Sequence, residues 1–346
     1  MTFKKIKCCL VGLGRSAERH HLPILLKHPY FEISGCITRS DERWRIRQAQ
    51  LPNTKRWKTI QQFLSEKLFF EDRPALIILC TPPEGHVSQA MPLLMKKYSV
   101  LIEKPLTLNF REARLLYRTA KKFKSHVFTF HNRHYDGEII FLKKIIGEKK
   151  LGRIFHVELH YFKSYGPSWG NYGVTPWRVT RKSGGVLLDF GPHFFEQILQ
   201  LFPEGIQKVS AQLFKEGNFK KVDDHDFIQL ETKSGVHVHV YFSNHCAAPL
   251  PQWYVSGRRG ALRSCDNGRQ GWNAFDFFYR QGEAVHKHRL SFVRTKNRDQ
   301  LFYDDLARYL CGEKREPPVS SESAMKVMQL IDAAFLADRL GRPIKL

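Results

Sequence analysis

The chain has no paired cysteine motif and no hydrophobic run of membrane-spanning length. Its seven cysteines include no Cys-x-x-Cys spacing. Cys8, Cys9, Cys36 and Cys80 lie in apolar runs, where a free thiol packs as a small hydrophobic group. This usage predicts reduced thiols in a cytoplasmic protein that has no metal site. No apolar stretch approaches the about 18–20 residues that a membrane helix needs, so we expect no membrane association.

Acidic residues are scarce relative to basic ones. The chain has 33 Asp and Glu against 56 Lys and Arg, a formal net charge of +23. Such an excess is typical of proteins that bind nucleic acid or anionic surfaces. The basic residues are spread along the whole chain, however, and no RNA-binding, zinc-finger or helix-turn-helix signature accompanies them. We therefore expect the basic residues to lie on solvent-exposed faces rather than to bind nucleic acid. Their positive electrostatic potential would still favour phosphorylated ligands, including a cofactor.

The 346 residues are enough for two domains, each with its own core. Over 1–130, strands alternate with helices, which predicts an α/β fold with a doubly wound parallel sheet. Over 131–346, strands follow one another with few helices between, which predicts an α/β domain with a largely antiparallel open sheet. Its C-terminal helices are candidates for packing back on the first domain. The predicted strands are 6–11, Phe31–Thr38, Leu76–Cys80, Ser99–Ile102, Val127–Phe130, Arg153–Tyr161, Lys208–Phe214, Asp226–Glu231, Val236–Phe242 and Trp253–Ser256.

A dinucleotide fingerprint follows the first strand. Residues 12–17, Gly-Leu-Gly-Arg-Ser-Ala, fit G-x-G-x-x-(G/A) before a helix predicted from about Ala17 to Lys27. Gly12 permits a tight turn, Gly14 lets the backbone approach a pyrophosphate, and the free N–H groups of the helix face the phosphates. The alternative is a glycine turn without a ligand, but the βαβ pattern that follows favours a dinucleotide.

The end of the second strand indicates which dinucleotide binds. An NAD site normally offers an acidic residue there for the ribose hydroxyls. Here the residues are Thr38, Arg39 and Ser40, and the first acid is Asp41. A guanidinium and two hydroxyls suit a 2′-phosphate better, so we favour NADP(H). The alternative is NAD(H), with Arg39 on the surface and Asp41 on the ribose.

Two further motifs carry acid–base groups. Glu103-Lys104-Pro105 ends an apolar strand, and Gly-Gly-x-x-x-Asp-x-Gly-x-His over 184–193 precedes an apolar helix. We expect Pro192 to delay the start of that helix to about Phe190–Pro192. Hydride leaves a carbinol carbon only as its hydroxyl proton is removed, which requires a nearby base. Either His193 or Lys104 supplies that base, and Asp189 orients the imidazole or binds a neighbouring hydroxyl.

With these motifs the chain resembles the Gfo/Idh/MocA oxidoreductases, named for glucose-fructose oxidoreductase and inositol dehydrogenase. The resemblance extends to His20-His21-Leu22-Pro23, to Thr81-Pro82-Pro83-x-x-His86 and to the segment 315–320 before the last long helix. Residues 132–137 and Trp177-Arg178 are similar to a branch that contains NADP-dependent scyllo-inositol dehydrogenases. Glu196 stands where the family often has an aspartate three residues beyond the histidine, which predicts a shifted hydroxyl contact or a side chain outside the pocket.

The resemblance implies a Rossmann domain, a second α/β domain and a substrate between them near the nicotinamide. It also implies a homo-oligomer formed through the open face of the second-domain sheet. The catalytic residues it implies are Lys104, His193 and Asp189. The expected cofactor-binding residues are Gly12, Gly14, Arg15, Ser16, Ala17, Thr38, Arg39, Ser40, Thr81, Pro82, His86, Glu103 and Lys104. The expected substrate-binding residues are Asn132, Arg133, Trp177, Arg178, Asp189 and His193.

The activity implied is hydride transfer between NADP(H) and a secondary hydroxyl or ketone of a cyclic polyol, sugar or sugar derivative. Two alternatives stay open. One is a redox-assisted glycosidase of the same family, which keeps its cofactor bound. The other is a non-catalytic NADP-binding or nucleic-acid-associated protein, suggested by the charge of +23. The acid–base residues argue against the second alternative but do not separate the first from a dehydrogenase.

Overall fold

The computed structural model describes residues 5–66, 73–163, 176–180, 184–216, 221–248, 250–265, 273–293, 295 and 297–346, with the backbone alone at 176–177. These residues form two compact units. The first unit comprises Met1–Asn132 and Asn297–Met325, and the second comprises Arg133–Lys296 and Lys326–Leu346. Among the helices described, none has the length and hydrophobicity to cross a membrane.

The helices and strands are numbered along the chain. The helices are α1 (Leu22–Leu25), α2 (Asp41–Arg47), α3 (Ile60–Ser65), α4 (His86–Met95), α5 (Phe110–Phe123), α6 (Gly137–Gly147), α7 (Val186–Leu201), α8 (Arg298–Leu310) and α9 (Ser321–Leu340). The strands are β1 (Ile6–Val11), β2 (Phe31–Ile37), β3 (Lys55–Trp57), β4 (Leu76–Leu79), β5 (Ser99–Ile102), β6 (Val127–Thr129), β7 (Ile154–Phe162), β8 (Ile206–Phe214), β9 (His225–Thr232), β10 (His237–Ser243), β11 (Trp253–Gly257), β12 (Gly260–Cys265), β13 (Ala274–Gln281), β14 (Ala284–Ser291) and β15 (Ile344–Lys345).

The first unit contains a six-stranded parallel sheet in the order β3-β2-β1-β4-β5-β6. Its central strands are continuous apolar runs, and all four residues of β4 are completely buried, as helices on both faces require. The order reverses between β1 and β4, and ligands of such sheets bind outside the carboxyl ends of the strands at that point. The predicted doubly wound parallel sheet is confirmed.

The first helix and helix α2 differ from the expectation, and β3 and α3 were not predicted either. The helix predicted from Ala17 to Lys27 is a π-helical segment, Ala17–His21, that continues into α1 and ends at Leu25. Helix α2 was not predicted at all. None of its residues is buried, so its sequence carries no apolar stripe of helical period. It is started instead by Ser40, whose hydroxyl accepts a hydrogen bond from the Arg43 N–H.

The second unit contains a nine-stranded sheet in the order β14-β13-β12-β11-β7-β10-β9-β8-β15. All pairings are antiparallel except β7–β10, which confirms the predicted, largely antiparallel sheet. One face packs against α7, where Phe190 and Phe194 contact the rings of Tyr161 and Phe242. Side chains alternate along a strand, so His156, Glu158 and the other residues between these apolar positions lie on the opposite face.

The predicted start of the helix after the glycine pair is wrong. Helix α7 begins at Val186, and Pro192 lies well inside it. A proline there removes one backbone hydrogen bond and crowds the preceding turn, at a cost of about 3 kcal/mol. Every residue from Val186 to Pro192 is buried, and burial of a helix on this scale contributes more than the proline costs, because tertiary packing supplies most helix stability.

Glu138 makes the stability of this protein pH-dependent. It is buried on α6 and accepts a hydrogen bond from the Gln252 amide. Burial and, secondarily, the charge of Asp136 raise its pKa from 4.5 to about 7. The folded protein therefore binds the proton more tightly than the unfolded chain does. The stabilising contribution is complete below pH 4.5 and is lost as the pH rises to about 7, an interval equivalent to about 3 kcal/mol.

We expect Glu138→Gln to raise the free energy of unfolding by about 1–3 kcal/mol at pH 8 and by much less at pH 5, because the amide carries no charge to bury. Urea denaturation at both pH values measures this difference. The control is Glu283→Gln, which changes an exposed glutamate and should have the same small effect at both. An equal effect of Glu138→Gln at pH 5 and pH 8 would contradict the prediction.

Candidate functional site

The glycine turn after β1 is shaped so that a side chain cannot enter it. Gly12 has φ of +89°, and a Cβ atom there would lie 3.1 Å from Thr81 Cγ2 and 3.2 Å from the Cys80 carbonyl oxygen. Glycine adopts this φ without strain, whereas other residues do not. Ala17 is completely buried. The backbone after β1 therefore lies close against the end of β4, where glycine fits without strain.

A cavity of about 390 Å³ opens at the carboxyl ends of β1, β2 and β4. Gly12, Thr38, Arg39 and Thr81, all predicted to bind the cofactor, line it. Lys58, which follows β3, lines it as well and was not predicted. Among the described residues that line the cavity, none is acidic. The cations at the end of β2 and β3 favour an anionic group at this position.

The residues that follow Arg39 belong to the start of α2. The Arg56 guanidinium donates a hydrogen bond to Asp41 Oδ1 at 2.5 Å, and this bond lowers the pKa of Asp41, with further lowering by Lys58. Ser40 caps the helix with its hydroxyl. Arg43 Nη1 lies 3.3 Å from the position a Cβ of Gly14 would take, so this guanidinium lies against the glycine turn. Because α2 was not predicted, Arg43 was missed.

Glu103 links the glycine turn to the Glu-Lys-Pro motif. Ser16 Oγ donates to Glu103 Oε1, His21 Nε2 lies 2.9 Å from the same oxygen, and the Lys104 N–H donates to Oε2 at 3.1 Å. His21 Nδ1 lies 2.6 Å from the Tyr303 hydroxyl of α8. Burial raises the pKa of Glu103, but the hydrogen bond and charge of His21, the charge of His20 and the hydrogen bond from Ser16 together outweigh it and lower the pKa to about 2. Glu103 is therefore an ionised carboxylate that anchors Lys104 by its backbone.

His86 holds the other side of the same motif. Its Nε2 lies 2.9 Å from the Thr81 carbonyl oxygen, and its Nδ1 lies 3.1 Å from the carbonyl oxygens of Pro105 and Leu106. Burial lowers the pKa of His86, and the ring is completely buried. Both ring nitrogens face backbone carbonyls, and a neutral imidazole donates from only one nitrogen, so the buried ring hydrogen-bonds one of these strand ends and packs against the other. The Lys104–Pro105 peptide bond, which follows β5, is cis.

Asp299, at the start of α8, was not predicted and contacts His20, which belongs to a motif of the family, and Asn132, an expected substrate-binding residue. His20 Nδ1 lies 2.9 Å from Asp299 Oδ2, and Asn132 Nδ2 donates to Oδ1 at 2.7 Å. Burial raises the pKa of Asp299, but these two contacts lower it overall. No local signal separates this aspartate from the other acids that favour the first turn of a helix.

In the second unit, α7 brings Asp189 against Arg178. The Arg178 guanidinium donates to both carboxylate oxygens, from Nε at 2.7 Å and from Nη2 at 3.4 Å. The glycine pair permits this arrangement, since a Cβ at Gly184 would lie 2.2 Å from the Arg178 carbonyl oxygen. At Gly185, where φ is +106°, a Cβ would lie 2.1 Å from Asp223 Oδ1. Two predicted substrate-binding residues thus form one charged pair.

His193 lies one turn after Asp189 on α7, and residues four apart share one side of a helix. It is half-buried, between the buried Pro192 and Phe194. Glu196, one turn further, is buried and accepts from Gln200 Nε2 at 2.9 Å, and its Oε1 lies 2.7 Å from His134 Nδ1. Glu196 is thus engaged by two side chains of its own unit. The side chain of Trp177 lies outside the described residues.

Arg133 is held between aromatic rings. Its guanidinium carbon lies 5.2 Å from the centroids of both Tyr161 and Phe194, and its Nη2 donates to the Tyr161 hydroxyl at 3.3 Å. Burial lowers the pKa of Arg133, but Tyr161, Asp136 and Glu138 raise it above the ordinary value. The group is a fixed cation on the α7 side of the sheet.

Comparison with known proteins gives two family matches. Residues 6–131 match the oxidoreductase family with an NAD-binding Rossmann fold, and residues 139–263 match the GFO/IDH/MocA C-terminal domain. One similar protein is the scyllo-inositol 2-dehydrogenase (NADP(+)) IolW of Bacillus subtilis. It is 24% identical over 362 residues, which cover 99% of this chain and 96% of IolW.

Two solved structures have the same fold. The oxidoreductase yvaA of Bacillus subtilis has a TM-score of 0.85 at 20% identity, over 99% of this chain and 100% of that one. The WlbA dehydrogenase of Bordetella pertussis, solved with NADH and UDP-GlcNAcA, has a TM-score of 0.82 at 17% identity, over 99% of each chain. At these identities the likeness establishes the fold alone.

We expect Gly12→Ala to weaken dinucleotide binding by at least about tenfold, because the methyl group meets Thr81 and Cys80 and the positive φ is unfavourable for alanine. Fluorescence titration with NADPH measures the affinity, and thermal unfolding measures any general loss of stability. The control is Gly147→Ala, since a Cβ at Gly147 has nothing within 4 Å. Unchanged affinity in Gly12→Ala would exclude this turn as the binding site.

Proposed function

Because the chain belongs to the Gfo/Idh/MocA family of oxidoreductases, we propose that it transfers a hydride between NADP(H) and a secondary hydroxyl or ketone. The substrate we propose is a cyclic polyol, sugar or sugar derivative. The observation that carries the proposal is the cavity at the glycine turn, where Arg39 and Lys58 replace the acidic residue of an NAD site. The similarity to IolW, a scyllo-inositol 2-dehydrogenase that uses NADP(+), supports both the cofactor and the substrate class.

The dinucleotide fits the residues present, since the glycine turn leaves no room for a side chain. Gly12 and Gly14 would lie under the pyrophosphate, and Thr81 would face it from the end of β4. Arg39 and Lys58 would hold the 2′-phosphate, with Arg43 near the glycine turn as a third cation. A guanidinium donates two parallel hydrogen bonds to a phosphate, which an ammonium does not. When bound, the nicotinamide supplies the chemistry of accepting or donating the hydride.

The chain itself supplies proton transfer and orientation. Lys104 has its backbone held by Glu103, which restricts where its amine reaches. His193 presents an imidazole from α7, and an imidazole exchanges protons near neutral pH. We assign the proton transfer to one of these two, with the other polarising the substrate oxygen. We assign Asp189 and Arg178 the binding of neighbouring hydroxyl groups, because a paired carboxylate and guanidinium offer both acceptors and donors in fixed positions.

A substrate panel tests the proposed activity. Inositols, aldoses and sugar acids are each incubated with NADP⁺, and formation of NADPH is followed by absorbance. We expect at least one cyclic polyol or sugar to be oxidised with a kcat/KM that depends on Lys104. If none is oxidised and no corresponding ketone is reduced, the proposed reaction fails while the cofactor assignment stays open to direct binding measurements.

We expect NADPH to bind more tightly than NADH, and Arg39→Ala to remove about tenfold of the NADPH affinity while NADH affinity changes little, since only NADPH carries the 2′-phosphate. Calorimetric titration of both cofactors measures this. Arg45→Ala is the matched control, because it removes the same charge from an exposed position of α2 that does not line the cavity. Equal affinities for the two cofactors in the unmodified protein would refute the assignment of Arg39.

Lys104→Ala and His193→Ala should each lower kcat by at least about a hundredfold, the range of general acid–base catalysis, with NADPH affinity nearly unchanged. The control is Lys96→Ala, an exposed lysine after α4. pH–rate profiles of the residual activity then separate the two roles, because the limb that belongs to the proton carrier disappears in its variant. A variant that keeps full kcat loses its assigned role.

A further inference from the structure

The sheet of the second unit carries a group of imidazoles on the face that points away from α7. His156, Glu158 and His160 occupy alternate positions of β7 and therefore point to one side. Strand β10 pairs with β7 in parallel, and His239 is the direct partner of Glu158. The cross-strand register thus places a histidine from β10 beside a carboxylate that already has a histidine two residues before it and another two residues after it.

Three of these side chains come within the range of a single ion. His156 Nε2 lies 2.9 Å from Glu158 Oε1, and the rings of His156 and His239 are 5.0 Å apart at their centroids. One ligand atom from each of His156, Glu158 and His239 lies within 4.8 Å of the other two. Tetrahedral zinc, with bonds of about 2.0–2.1 Å, holds its ligand atoms about 3.3 Å apart. Small side-chain rotations therefore bring all three to one ion.

We propose that His156, Glu158 and His239 form a binding site for a divalent transition-metal ion of the zinc class. Two imidazoles and one carboxylate are a ligand set that zinc uses with a further open position. Imidazole selects such ions over calcium and magnesium, which prefer oxygen ligands. The three side chains are half-buried, and three protein ligands leave the fourth tetrahedral position of the ion for water or another ligand.

A neighbouring histidine, His160, lies beside the carboxylate of the site. His160 Nδ1 lies 2.9 Å from the Pro251 carbonyl oxygen, and its Nε2 lies 3.4 Å from Glu158 Oε2. A ring held by a backbone carbonyl is fixed in orientation, as is usual for groups that support metal ligands. Because Nδ1 faces a carbonyl, Nε2 donates to Glu158 Oε2 only when the ring is protonated, whereas Glu158 Oε1 is the oxygen that lies beside His156.

The strands that carry the ligands are held rigidly by their other face. Val157, Leu159, Val238 and Val240 alternate with the ligands and are all completely buried. Their packing fixes the backbone positions from which the three ligands project, which lowers the entropic cost of assembling the site. The site lies across the sheet from α7, which carries Asp189 and His193. It is thus separate from the residues assigned to the proposed oxidoreductase chemistry.

Calorimetric titration with ZnCl₂ tests the site on the full chain, purified without a histidine tag and freed of metal by chelator and dialysis. We expect one Zn²⁺ ion per chain with micromolar affinity or tighter. His239→Gln and Glu158→Gln should each weaken binding by at least about tenfold, since each removes one of three ligands. The control is His288→Gln on β14, which removes an imidazole from the same sheet outside the group and should leave the affinity unchanged.

Titration with Co²⁺ gives a second measurement, because tetrahedral cobalt has intense visible absorption bands, whereas the hydrated octahedral ion absorbs only weakly and at shorter wavelength. These bands should appear in the unmodified protein and in His288→Gln and be lost in Glu158→Gln. Circular dichroism and thermal unfolding of the ion-free variants establish that all are folded. The proposal is overturned if no stoichiometric binding occurs, or if binding persists undiminished in both His239→Gln and Glu158→Gln.

Discussion

Glu103 is a buried carboxylate in a hydrogen-bonded chain that joins three separate parts of the first unit. Ser16 belongs to the glycine turn, His21 to the π-helical segment, and Tyr303, which holds His21, to α8. An isolated charge at this depth would cost several kcal/mol, and removing one partner of a buried pair costs about 3–5 kcal/mol. The conformation of the Lys104 backbone therefore depends on all three segments being in place. The glycine turn and the Glu-Lys-Pro motif form one structure around this carboxylate.

That dependence explains why two motifs distant in sequence occur together. A glycine turn needs only small residues to admit a dinucleotide. Alone, a turn of this kind is not specific to dinucleotide-binding proteins. Ser16 gives it a second function, since its hydroxyl donates to the same oxygen that His21 contacts. On the other side of the motif, the His86 ring lies between the Thr81 carbonyl after β4 and the Pro105 carbonyl after the cis Lys104–Pro105 bond. Glu103 and His86, which contact the backbone on either side of Lys104, thus fix the main-chain position from which the Lys104 side chain extends.

The sequence predicts those helices and strands whose burial produces a recognisable pattern of hydrophobic residues. β4 and β5 are continuous apolar runs, and β7 and β10 alternate, so both sheets and their class follow from pattern alone. Helix α2 has no buried residue and so no pattern. Helix α7 breaks a local rule at Pro192, because burial of the whole helix outweighs one lost hydrogen bond. Arg43 and Lys58 were missed for a related reason: their positions depend on α2 and β3, which local sequence does not reveal.

The histidines of the second-unit sheet mark the limit of prediction from pattern. The alternation of His237 and His239 with valine predicts a half-exposed strand, and His156, Glu158 and His160 show the same period. The proposed site takes ligands from both strands, so the pattern of neither strand alone reveals it. The parallel pairing of β7 with β10, between antiparallel neighbours, places His239 beside Glu158, and a shift of one residue would send His239 to the core face. Because the buried valines fix the register, the apolar face of the sheet determines the chemistry of its polar face.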